Sequence, residues 1–318
     1  MNRLLADYLR NHGERECSVL QLERPHSLVL WIFRKGDAEP WAVGKIARAE
    51  NGARLLRGEG AALAALQKVG QELGIPRLLL QSETGREGFL LMQSGVPGQP
   101  LSDEICSGNE RAISEQFRRI EGWLATFQDR LPSGETVATC TRQSLAACRR
   151  VLDLSDEEKA LLDGLTAMLP QLEHVRAVPV HGDFWAGNVL EASTRLSVLD
   201  WGHFHYGAPT EDLHNFVAAA CYRKRRTPAE SGRTMWDAFF ADCAVSRNGA
   251  LATKRRLERW KIDLAQLRAL FCVFLVNRLS LTEFTNHAAW RIFVCDYVKA
   301  GMPPPFTAVP AIAVLQPA

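Results

Sequence analysis

The apolar residues of the first hundred positions fall into short runs of the kind that build strands. SVLQL at 18–22, LVLWIF at 28–33 and WAVGKIA at 41–47 are separated by turn material at 24–27 and 35–40, which predicts three antiparallel strands. The period then changes. Leu55, Leu56, Glu59, Leu63 and Leu66 fall on one face of a helix, and two more apolar runs follow, PRLLLQ at 76–81 and GFLLMQ at 88–93. Five strands and one helix are therefore expected before Ser94. The glycine and proline packed into GVPGQP, 95–100, predict a connector.

Beyond the connector the pattern is almost wholly helical. Helices are expected near 110–130, 142–151, 155–169, 210–223, 233–243, 251–281 with a break, and 288–299. Ser155 followed by Glu158 is a capping box that marks one start. A single stretch interrupts the helices: VPVHGDFWAGNVLEASTRLSVLDW reads as a loop and then a hairpin, with strands at 188–190 and 196–199 around a turn at 192–195. The proline- and alanine-rich tail after Gly301 is expected to be extended or partly disordered.

A chain of 318 residues exceeds what one hydrophobic core keeps compact, so two lobes, or one core with large insertions, are expected. Hydrophobic residues make up 47% and charged residues 23%, the balance of a soluble globular protein and no pointer to function. The eight cysteines are scattered without a C-x-x-C pair and read as reduced core thiols. MNRLLADYLRNHGERE lacks the apolar core of a signal peptide, so a cytoplasmic location is expected. The apolar run 269–276 is far short of the roughly 20 residues that span a bilayer and reads as a buried helix. Net charge is +2, but residues 201–318 hold 15 Lys and Arg against 9 Asp and Glu. That asymmetry suggests an anionic partner, or only solvated faces such as Arg223–Arg226. No nucleic-acid partner and no transmembrane segment are expected.

The loop before the hairpin holds the densest chemistry. His181, Gly182 and Asp183 are followed by Asn188 and, past the hairpin, by Asp200 and Trp201. Phosphoryl transfer needs a carboxylate beside the acceptor hydroxyl and oxygen ligands that hold Mg²⁺ on the phosphates, and one loop with one hairpin could supply all three. Upstream, Glu59 falls in the middle of the apolar helix stripe, where an unpaired carboxylate is costly. It needs a cation, and Lys45 in AVGK is the natural one. Glu50 is the rival carboxylate, but it precedes the periodic stripe.

These motifs, in this order, resemble those of the aminoglycoside phosphotransferases and choline kinases, from about Cys17 to Phe216. The resemblance implies an α+β, protein-kinase-like two-lobe fold. Residues 1–94 would form a small antiparallel-sheet lobe that binds the nucleotide, and 95–318 a large helical lobe with the catalytic loop and acceptor site. It also implies roles. Asp183 takes the acceptor proton, Asn188 and Asp200 hold Mg²⁺, and Glu59 aims Lys45 at the phosphates of ATP, or of GTP in its place. Val43 packs against the base, backbone groups near Gln93 recognise its edge, and the first-strand turn with Ser27 covers the phosphates. His181 supports the loop. Asp212, in GAPTEDL, either tethers that loop or only opens the next helix.

Three positions depart from the family pattern. The turn ERPHS lacks the glycines of a phosphate-covering loop, and Gly202 stands where many relatives carry an acid. Trp185, two residues after Asp183, is neither lysine nor arginine, which with the short stretch from Trp201 to Thr210 argues against a protein kinase. His203, His205 and His214 suggest a rival, a metal-dependent hydrolase, although lining the acceptor pocket is the plainer use. The main alternative is a nucleotide-binding pseudokinase with a regulatory role. The basic C-terminal part favours a small hydroxyl-bearing acceptor that is neutral or anionic over a polycationic antibiotic.

Overall fold

The computed structural model describes residues 16–24, 27–83, 88–101, 109–151, 153–193, 195–220, 227–281 and 287–309. Cys106, Cys221, the run 223–226, the N-terminal segment and the middle of the first-strand turn lie outside the described residues. The chain gathers into two compact units. One holds the residues up to Pro100 together with Asn188–Phe204; the other holds Leu101–Gly187 and the residues from His205 onward.

The first unit is built on an antiparallel sheet of five strands, β1 (Cys17–Glu23), β2 (Ser27–Arg34), β3 (Ala42–Ala47), β4 (Leu78–Glu83) and β5 (Phe89–Ser94), in the order β1-β2-β3-β5-β4. The helix α1 (Glu50–Leu73) joins β3 to β4. Alternation along the strands divides the core in two. Leu30, Ile32, Ala42, Leu90 and Met92 pack on one face of the sheet, and Ala47, Phe89 and Leu91 meet Ala53 and Leu56 of α1 on the other. Because β5 has packing on both faces, its run FLLMQ is buried throughout and reads as continuous rather than alternating. A short strand β6 (Gln99–Pro100) pairs with β8 (Val189–Ala192), which pairs in turn with β9 (Arg195–Val198).

The second unit is helical: α2 (Glu110–Arg130), α3 (Val137–Val151), α4 (Asp156–Met168), α5 (Glu211–Ala220), α6 (Pro228–Phe240), α7 (Ala244–Arg259), α8 (Leu267–Ser280) and α9 (His287–Lys299), with two three-residue strands, β7 (Val178–Val180) and β10 (His205–Gly207), paired to each other. The Ser155 capping box opens α4 as expected. The region 251–281 is two helices, broken around Lys261, whose φ of +53° ends the first. Helix α6 begins at Pro228, earlier than the apolar period indicates, because Thr227 caps it and proline suits the first helical position. The apolar run 269–276 is buried within α8. No helix among the described residues is long and apolar enough to cross a membrane.

The tail corrects one expectation. Residues 301–309 are not a loose end, while 310–318 lie outside the described residues: Phe306 is fully buried, its backbone N–H donates to the Phe239 carbonyl at 2.8 Å, and Val309 is buried with it. Two apolar side chains near the end of a proline-rich segment gain more from burial than the segment loses in freedom. The sheet unit and the helical unit together make the protein-kinase-like α+β fold.

Candidate active site

Strand register gathers the candidate nucleotide residues. Val29 lies opposite Lys45, Ser27 opposite Ala47, Leu91 opposite Lys45 and Gln93 opposite Val43. Opposed residues share a face, as do residues two apart. Ser27, Val43, Lys45 and Gln93 therefore project from one face of the sheet, the face on which α1 packs. Gln93 is 2% exposed and its Oε1 has no hydrogen-bond partner. The neighbouring backbone donors are already used: Ser94 N–H bonds the Arg77 carbonyl at 2.8 Å and Gly95 N–H the Trp41 carbonyl at 2.7 Å.

Helix α1 brings Glu59 to Lys45. The ammonium donates to both carboxylate oxygens of Glu59, at 2.7 and 2.9 Å, and also pairs with the carboxylate of Asp200. Lys45 and Glu59 are buried, while the Asp200 side chain is 54% exposed. Burial works against the Lys45 charge, but Asp200 and Glu59 outweigh it and hold its pKa above the ordinary lysine value. For Glu59, burial pushes the pKa up, while Lys45 and a hydrogen bond from the Trp201 backbone pull it back. Glu50 stays at the surface, paired with Arg57 at 2.9 Å.

The turn after β9 presents Asp200 to this pair. Asp200 has φ +60° and ψ +64°, a left-handed conformation that costs a non-glycine residue about 1 kcal/mol or more. Trp201 anchors the turn: it is fully buried and its indole N–H donates to the Val198 carbonyl at 2.9 Å. Glycines let α1 approach, since a Cβ on Gly58 would lie 3.2 Å from the Gly202 carbonyl oxygen. Asn188, 5% exposed, stands across the same hairpin, its carbonyl accepting from the Leu199 N–H at 2.8 Å. The amide of Asn188 and the carboxylate of Asp200 thus flank the open end of one hairpin, two hard oxygen donors of the type that suits Mg²⁺.

In the helical unit, the loop after β7 is held from two sides. Asp212, buried at the start of α5, accepts from the backbone N–H of His181 at 2.8 Å and of Gly182 at 3.0 Å. The tether reading of Asp212 is the one the geometry supports. Burial pushes its pKa up, against these two backbone bonds. His181 Nδ1 accepts from the Asp183 N–H at 3.2 Å, which sets the loop's bend. Gly182 has φ +82°, open to glycine and strained for other residues. Arg278 of α8, a residue that the sequence patterns do not single out, donates to the Gly182 carbonyl at 2.6 Å and lies 3.4 Å from Asp183 Oδ1. Its pKa is lowered by burial, with the Asp183 charge opposing.

His205 and His214 are used separately. His205 bonds Glu211, which also accepts twice from Asn277 Nδ2 at 3.0 Å. His214 is enclosed by Phe239, Phe271, Phe274 and Phe306 with neither ring nitrogen bonded. Among the described residues no group of three or more His, Cys, Asp and Glu could hold a metal ion. The basic excess of the C-terminal part is partly neutralised: Arg247, Arg255 and Arg259 of α7 pair with Glu110, Glu121 and Asp129 of α2.

No curated protein matches the chain. Among solved structures, aminoglycoside phosphotransferase APH(4)-Ia is similar over 93% of this chain and 98% of its own, with 15% identity and a TM-score of 0.62. A thermostable mutant of the same enzyme, crystallised as a ternary complex with ADP and hygromycin B, aligns with a TM-score of 0.61 at 16% identity, over 93% of this chain and 98% of its own. Aminoglycoside phosphotransferase APH(3'')-Id from Streptomyces rimosus is 20% identical, over 87% of this chain and 98% of its own, with a TM-score of 0.52. At these identities the likeness speaks for the fold. The model of the phosphotransferase enzyme family matches residues 31–244, well over half of the chain. The chain belongs to the phosphotransferase enzyme family, and is a phosphotransferase with an alcohol group as acceptor.

Proposed function

We propose that the protein is a kinase that moves the terminal phosphoryl group of ATP, or of GTP in its place, to a hydroxyl of a small metabolite that is neutral or anionic. The observation that carries this reading is the convergence of Glu59 and Asp200 on Lys45. A buried ammonium fixed by one carboxylate and shared with a second, half-exposed one is poised to be shared with phosphate oxygens. Val43 offers an apolar surface to the base and Gln93 an unsatisfied amide oxygen to its edge. Ser27 begins the strand beside Lys45's own and lies at the covering turn.

Asn188 and Asp200 would hold Mg²⁺, which when bound neutralises charge on the phosphate oxygens. Asp183 orients the acceptor hydroxyl and takes its proton. Its loop is kept in shape by Asp212, so the carboxylate is presented without reorganisation at each turnover. The sequence asymmetry in charge is what argues for a neutral or anionic acceptor. The relatives named for aminoglycosides make the polycationic class the competing one.

The test is a screen of hydroxylated metabolites, sugars, sugar phosphates, hygromycin B and kanamycin for acceptor-dependent ADP release, repeated with Asp183→Asn. The variant should keep nucleotide affinity within about threefold and lose about two orders of magnitude or more in transfer. Undiminished transfer would remove Asp183 from the chemistry. Faster turnover of the antibiotics than of any neutral or anionic compound would overturn the acceptor class, and nucleotide binding with no transfer to any acceptor would mark a pseudokinase.

A further inference from the structure

The loop 181–188 contains no lysine or arginine, and Trp185 occupies the position two residues after Asp183. The cation that meets the loop comes instead from a helix ninety-five residues away. Arg278 lies in the last turn of α8, whose sequence LRALFCVFLVNRLS is mainly buried and apolar. A guanidinium at 3% exposure is expensive unless its donors find acceptors. Its Nη1 reaches the Gly182 carbonyl at 2.6 Å, its Nη2 lies 3.4 Å from Asp183 Oδ1, and its Cζ lies 5.5 Å from the centroid of the Trp290 ring on α9.

The two contacts act on consecutive residues. Asp212 already takes the N–H of Gly182, so the peptide units around Gly182 are gripped by an acid on the N–H side and by a base on the carbonyl side. The same guanidinium fork that fixes the carbonyl reaches the Asp183 carboxylate, whose side chain remains 22% exposed. A planar fork can satisfy both acceptors at once, and a lysine ammonium on a flexible stem cannot hold that geometry.

We propose that Arg278 is the positioning residue for Asp183: it fixes the orientation of the carboxylate toward the acceptor by clamping one carboxylate oxygen and the preceding carbonyl together. The inference rests on the proposed role of Asp183 and adds to it the side chain through which that role is exerted. Arg278 acts on the rate and leaves nucleotide binding alone, because its partners on the loop are Gly182 and Asp183, and the residues assigned to the nucleotide are others.

The experiment is a double-mutant cycle read by labelled phosphate release from ATP and Mg²⁺ with water as acceptor, alongside calorimetric ATP affinity and thermal melting. Arg278→Gln should slow release by about 10²-fold, the size of loss that a displaced catalytic group produces, with ATP affinity unchanged within about threefold. In an Asp183→Asn background the same substitution should cost less than about threefold, since a residue acting through Asp183 has nothing left to position. Arg278→Lys, which keeps the buried charge, should melt near wild type and still be slow. In Arg278→Ala, guanidinium ion should restore at least about tenfold where the same concentration of sodium restores nothing.

An equal loss in both backgrounds, a parallel loss of ATP affinity, or a wild-type rate in Arg278→Lys would each overturn the proposal. If Arg278→Gln does not fold, Arg278→Lys and the guanidinium rescue decide alone. A different result, full release by Asp183→Asn itself, would instead sink the reading of Asp183, and the two failures are told apart by which single variant keeps its rate.

Discussion

Glu59 holds the ammonium of Lys45 with both of its carboxylate oxygens, at 2.7 and 2.9 Å, from a helix fourteen residues further along the chain. The pair is buried, yet it does not neutralise the site, because Asp200 shares the same ammonium. Two carboxylates on one cation leave a net negative charge that a bound divalent ion or a rearranged Asp200 relieves, so the arrangement is more consistent with binding than with a structural staple.

Replacing Glu59 by glutamine tests that view. Removing one partner of a buried pair usually costs 3–5 kcal/mol, and with Asp200 still present the loss here should be about 2–3 kcal/mol. ATP affinity should fall about tenfold as Lys45 loses its fixed direction. Melting and calorimetric titration check both. A stability loss with unchanged affinity would make the pair purely structural.

Much of this site could be read from the chain alone, and the reason is physical. Glu59 stood out because a carboxylate in an apolar stripe demands a cation, and Lys45 was the cation at strand spacing. Arg278 carries the same signal, a charge in the apolar helix 267–280, but its partner is a backbone carbonyl and a loop carboxylate ninety-five residues earlier, which no local pattern reveals. The five-stranded sheet was legible because strand runs and turn residues are local. The docking of Phe306 was not, since it depends on Phe239 in a distant helix. Helix starts at Val137 and Pro228 were set by what precedes the apolar period, and so fell outside it.

Gln93→Leu should separate binding from stability. An unpaired buried carbonyl oxygen is destabilising, so leucine should raise the melting temperature by the equivalent of about 1 kcal/mol. If Gln93 reads the base edge, ATP affinity should fall about tenfold, while tripolyphosphate, which has no base, should bind as before. An equal loss for tripolyphosphate would take Gln93 out of base recognition.

Asp212→Asn keeps the shape of the side chain and replaces an acceptor with a donor opposite two backbone N–H groups. One of those groups must lose its partner, at a cost of about 1–3 kcal/mol in this buried setting. The loop then relaxes, and transfer should fall about 10²-fold with ATP affinity within about threefold of wild type. Steady-state transfer and calorimetry measure the two. Retained transfer would show that the His181 and Gly182 bonds only support the start of α5.

His214 should make the fold acid-sensitive. Its ring lies wholly buried among four phenylalanines with both nitrogens unbonded, and burial, with the nearby Arg256 charge, pushes its pKa down to about 3. The unfolded chain gains a proton at this residue below about pH 6.5, whereas the folded chain refuses it until much lower pH. Stability from this group is therefore complete above about pH 6.5 and declines as the pH falls toward 3, by about 1.4 kcal/mol per pH unit. Between pH 7.5 and 5 the wild type should lose about 2 kcal/mol that His214→Leu, which carries no titrating group, does not. Denaturant melts of both proteins at the two pH values measure the difference directly. Parallel losses in the two proteins would mean that the ring is hydrated or bonded in solution and titrates as an ordinary histidine.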